Sequence, residues 1–71
     1  MGKASSALRN YRRARALTQE QLAGLLGITQ QTYGKYESGE LTPPKDRQAL
    51  IATILGTAVS VLWPESEPVL S

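Results

Sequence analysis

The 71-residue chain contains no cysteine and no histidine. Without cysteine, disulfides, thiolate–metal sites and a cysteine nucleophile are excluded. Without histidine, imidazole metal ligands and Ser–His catalysis go as well. The chain also lacks any apolar run near the ~18 residues a membrane span needs. Met1 to Ser6 lead into a basic stretch with no apolar block behind it, so no signal peptide is expected. These absences make the expected protein a cytoplasmic, non-enzymatic domain with no cofactor, no metal and no membrane partner. What is present suits a single small core made by ordinary packing: 41% of residues are hydrophobic and 20% charged.

Formal net charge is only +2, but its distribution is uneven. Residues 1–36 carry Lys3, Arg9, Arg12, Arg13, Arg15 and Lys35 against Glu20 alone. Residues 37–71 carry Lys45 and Arg47 against Glu37, Glu40, Asp46, Glu65 and Glu67. A basic half joined to an acidic half points to a polyanionic partner, of which nucleic acid is the commonest. The plainer reading of the same residues is a solvated basic helix.

The hydrophobic spacing is that of short helices, and no alternating strand pattern occurs before the tail. Ala7, Leu8 and Tyr11 predict the apolar face of a first helix, from about Ala4 to Arg15. Thr18 with Gln21 predicts a capping box for a second helix, whose stripe is Leu22, Leu25 and Leu26. Gly27 is placed to stop it, because glycine takes the left-handed conformation without steric cost. Thr29 predicts the cap of a third helix, from Gln30 to about Ser38, ended by Gly39. A fourth helix is expected from Pro43–Pro44, with Leu50, Ile51, Ile54 and Leu55 buried and Gly56 closing it. A fifth runs through Val59 to Leu62, and residues 65–71 read as a tail after a domain of residues 1–64. The expectation is an all-α bundle of about five short helices.

Helices two and three are joined by a turn containing Gly27, which is the spacing of a helix-turn-helix. Ala23 falls where the two helices would cross, and a larger side chain there would force them apart. Leu22, Leu26, Ile28, Tyr33 and Tyr36 would fill the wedge, with the tyrosine hydroxyls at its rim. Gln30, Gln31 and Lys35 are left facing outward.

The segment LTQEQLAGLLGITQQTYGKYESGE at 17–40, followed by PP and LIATILG, resembles the Cro and phage-repressor (Xre-like) helix-turn-helix family. The resemblance covers roughly residues 8 to 63. It implies a lambda-repressor-like five-helix bundle that regulates transcription, as a repressor of phage or mobile-element type. Such a protein binds duplex DNA in the nucleoid as a homodimer on a two-fold operator, with the third helix in the major groove. By the same resemblance Gln30, Gln31 and Lys35 would contact bases. Gln19, Thr29, Ser38 and Thr42 would contact phosphates, Gln19 near the positive end of its helix. Arg12 and Glu37 match positions that form a structural ion pair.

Three positions depart from the family pattern. Gly34 lies inside the third helix, where glycine costs ~1 kcal/mol against alanine. Glu40 replaces a usual basic residue, and Ala58 replaces the usual cap of the fifth helix. Val61 and Trp63 are the expected dimer contacts, although Trp63 also suits a core plug. The alternative function is a protein-interaction module, an antitoxin-like partner, which the acidic second half with Val69 and Leu70 leaves open.

Overall fold

The computed structural model describes residues 6–64. The expected helix start at Ala4, the charge of Lys3 and the tail at 65–71, with Val69 and Leu70, lie outside those residues. Among the described residues there are five helices and no strand. They are α1 (Ser6–Ala14), α2 (Gln19–Leu26), α3 (Gln30–Ser38), α4 (Lys45–Leu55) and α5 (Val59–Leu62).

Local chemistry sets most of their ends. The Thr18 hydroxyl accepts from Gln21 N at 3.0 Å, while Gln21 Oε1 accepts from Thr18 N at 2.9 Å. That reciprocal box satisfies two of the amide groups a helix start leaves unpaired. Thr29 caps α3 with its side chain alone, accepting from Thr32 N at 3.1 Å. Gly27, Gly39 and Gly56 all take positive φ just beyond α2, α3 and α4. After α2, Ile28 N reaches back to Ala23 O, and after α4, Thr57 N reaches back to Ala52 O. The turn after α1 repeats this bond, from Leu17 N to Arg12 O, with Ala16 at φ 58 in the place of a glycine. No side chain caps α5, in keeping with Ala58 at its start.

The bundle closes around one core to which every helix contributes. Leu8, Leu22, Tyr33, Ile51 and Leu55 are fully enclosed, and Ala23, Tyr36, Ala52, Leu62 and Trp63 complete the core. Each large apolar side chain withdrawn from water contributes ~1.5–3 kcal/mol before entropy is counted. Tyr33 and Tyr36 meet edge to face at 6.2 Å between ring centroids, the arrangement aromatic quadrupoles favour. The α2–α3 pair packs most extensively, and α4 and α1 support it from other sides.

Several sequence expectations are corrected. Tyr11, Leu25 and Leu50 are exposed, Leu25 by 60%. Leu25 loses its place because α3 closes on the Ala23 side of α2, where the small residue permits close approach. The helix α4 starts at Lys45, one residue after Pro44, whose extended backbone serves as its cap. Trp63 is 6% exposed and is a core residue, so it is not available as a dimer contact. The Tyr33 hydroxyl is buried instead of lying at the rim. No helix among the described residues is long and apolar enough to cross a membrane.

Candidate nucleic-acid interface

The helix α3 presents its outer face where α2 and its own core residues hold it. Tyr33, Tyr36 and Glu37 turn inward, while Gln30, Gln31 and Lys35 are exposed. Gln31 and Lys35 lie one turn apart on the most outward stripe. Thr29 caps the first turn of α3, from which the two glutamines project. Ser38 and the loop through Thr42 continue the exposed surface beyond α3.

Not every expected contact residue keeps a donor for an acceptor-only ligand such as phosphate. The Ser38 hydroxyl donates to Lys35 O at 3.1 Å and accepts from Glu40 N at 3.3 Å. Its single proton therefore closes the end of α3. The Thr29 and Thr32 hydroxyls bond each other at 3.0 Å, within the first turn of α3. Thr42 is exposed in the loop. Gln19 is half-buried, and its Nε2 donates to Glu37 Oε1 at 2.9 Å.

Behind this face lies a buried polar cluster. Arg12 Nε donates to Glu37 Oε2 at 2.6 Å, and Arg12 Nη1 donates to Leu17 O at 2.8 Å. Burial alone would raise the Glu37 carboxyl, but the hydrogen bonds from Arg12 and Gln19 outweigh it and hold the group below its ordinary value. The bond to Glu37 raises Arg12 in turn, against the opposing effect of burial. Burial, with Glu37 beside it, pushes the Tyr33 hydroxyl far above the usual phenol range. The base of α3 is thus anchored by fixed charges of opposite sign.

Two supports were not visible in the sequence. Arg47 Nη1 donates to the Tyr36 hydroxyl at 3.0 Å, tying the first turn of α4 to α3. Buried Gln48 donates to Pro43 O at 3.0 Å, holding the loop that follows α3. A half-exposed arginine and a lone glutamine carry no pattern that marks them for these tasks. Among the described residues no group of three or more His, Cys, Asp or Glu is placed to hold a metal ion.

A family model described as a helix-turn-helix domain matches residues 5–62, across the whole α1–α5 bundle. The chain belongs to the helix-turn-helix domain family. Two relatives from Bacillus subtilis (strain 168) match 55 residues each, or 78% of this chain. One, at 38% identity over 49% of its own length, is named the uncharacterized HTH-type transcriptional regulator YobD. The other, at 36% identity over 51% of its length, is the SPbeta prophage-derived uncharacterized HTH-type transcriptional regulator YonR. This helix-turn-helix chain spans about half the length of these curated relatives. No solved structure matches it.

Proposed function

We propose that the chain is a sequence-specific duplex-DNA-binding transcriptional regulator of the Cro and phage-repressor (Xre-like) type. The observation that carries this reading is the exposed Gln30, Gln31 and Lys35 surface on a capped helix braced by α2. A helix enters the major groove, and a glutamine amide pairs with adenine through two hydrogen bonds. Two relatives named as HTH-type transcriptional regulators, one of them prophage-derived, support the regulatory and mobile-element reading. Gln30, Gln31 and Lys35 read bases, while Thr29, Ser38 and Thr42 lie along the sugar–phosphate backbone. Gln19 offers a phosphate one remaining amide proton and its helix-start backbone.

A homodimer on a two-fold operator, acting in the cytoplasm, completes the proposal, because one small module buries little DNA surface. With Trp63 in the core, exposed Val61 is the remaining α5 candidate for that contact. The test is duplex affinity as a function of salt. Neutralised phosphates release counterions, so affinity falls by orders of magnitude between low and moderate salt. Salt-insensitive affinity, or no duplex binding at low salt, refutes the proposal and favours the protein-interaction module.

A further inference from the structure

Glu37 ends a stripe of α3 on which Gln30, Gly34 and Glu37 follow one another at helical spacing. An ionised carboxylate has lone pairs and no proton, so it only accepts. Three donors use it: Arg12 Nε on Oε2, Arg12 Nη2 on Oε1 at 3.3 Å, and Gln19 Nε2 on Oε1 at 2.9 Å. The third has a consequence for α2. A glutamine amide on a surface turns end for end at little cost, but here the carboxylate takes the nitrogen end. The oxygen must then face away. It faces α3: Gln19 Oε1 stands 3.7 Å from the place a Gly34 Cβ would occupy.

We propose that Glu37 is a positioning residue for the nucleic-acid face, holding the Gln19 amide so that its Oε1 acceptor is presented beside Gly34. The proposal rests on α3 being the DNA-facing helix. Phosphate oxygens accept, so from the Gln19 side chain they meet only the one remaining Nε2 proton. Its Oε1 takes a donor, and the donors a base edge offers in the major groove are the amino groups of adenine and cytosine. Gln19 thereby contributes to sequence preference as well as to general affinity. The lack of a side chain at Gly34 keeps the approach to that oxygen open.

The first arm of the test needs no DNA and no substitution. In 15N-labelled protein the Gln19 side-chain amide is followed while pH is lowered through the protonation of Glu37. Arg12 and Tyr33 are the other ionisable groups facing this carboxylate, and both hold their protons throughout that range. The Gln19 amide signals should move with the Glu37 carboxyl signal. Signals that ignore it overturn the proposal, whether or not any variant folds.

The second arm uses a duplex selected by the intact chain from a random pool and a random-sequence duplex of equal length. Glu37→Gln should lower the ratio of the two affinities about tenfold, the scale of one lost base contact. In a Gln19→Ala background the same substitution should leave the ratio unchanged. Equal losses in both backgrounds overturn the proposal. Absence of any duplex binding, with the Gln19 amide still following Glu37, overturns the DNA reading and leaves the positioning intact.

Discussion

Arg12 and Glu37, 25 positions apart in the chain, form a bonded ion pair with both side chains under a tenth exposed. Arg12 also holds Leu17 O, so one guanidinium joins α1, the turn after it and the end of α3. Removing one member of a buried pair leaves an uncompensated charge, which costs ~3–5 kcal/mol. Arg12→Met or Glu37→Met alone should therefore lower stability by about that amount, measured by denaturant unfolding. The double substitution should recover a large part of the loss. Additive losses would show that the pair acts as two separate contacts.

The same pair sets an acid limit. Glu37 titrates lower in the folded chain than in the unfolded one. The stability it contributes is complete above the unfolded carboxylate value of ~4.3 and is lost as pH falls through the lower folded value. Melting temperature should drop below about pH 4.5, and the Arg12→Met/Glu37→Met chain should show a shallower drop. Equal slopes would contradict the assignment.

Much of this architecture was legible in short-range chemistry. Thr18 with Gln21, Thr29, and the three glycines after α2, α3 and α4 act over a few residues, so sequence spacing reveals them. Which edge of each apolar stripe faces inward was not legible. Leu22, Leu25 and Leu26 share one face by periodicity, and only the approach of α3 over Ala23 turns Leu25 outward. Leu50 and Tyr11 were lost for the same kind of reason, since neighbouring helices decide the burial of stripe edges. In the candidate site, Gln30, Gln31 and Lys35 could be placed outside from spacing alone. The partnership of Gln19 with Glu37 could not, because 18 positions separate them and packing alone joins them.

Ala16 is a position where the fold carries avoidable strain. At φ 58 it does a glycine's work at the end of α1. A left-handed residue with a Cβ costs ~1–2 kcal/mol, offset partly by the greater freedom glycine has when unfolded. Ala16→Gly should raise stability by ~0.5–1 kcal/mol. A lower melting temperature would contradict it.

Gly56 makes the converse case. It holds φ 71 after α4, and a Cβ there would run into the Arg15 guanidinium. Arg15 is exposed and its far end can move aside, so backbone strain dominates. Gly56→Ala should cost ~1–2 kcal/mol in denaturant unfolding. Unchanged stability would show that the turn relaxes.

The central claim, that α3 reads bases, is tested most directly with Gln31→Ala on two duplexes, one selected by the intact chain and one of random sequence. Base contacts discriminate by ~1–3 kcal/mol each, whereas phosphate contacts act on any sequence. Gln31→Ala should therefore weaken the selected duplex by roughly tenfold or more while leaving the random duplex nearly unchanged. Equal weakening of both duplexes, or of neither, would contradict the account.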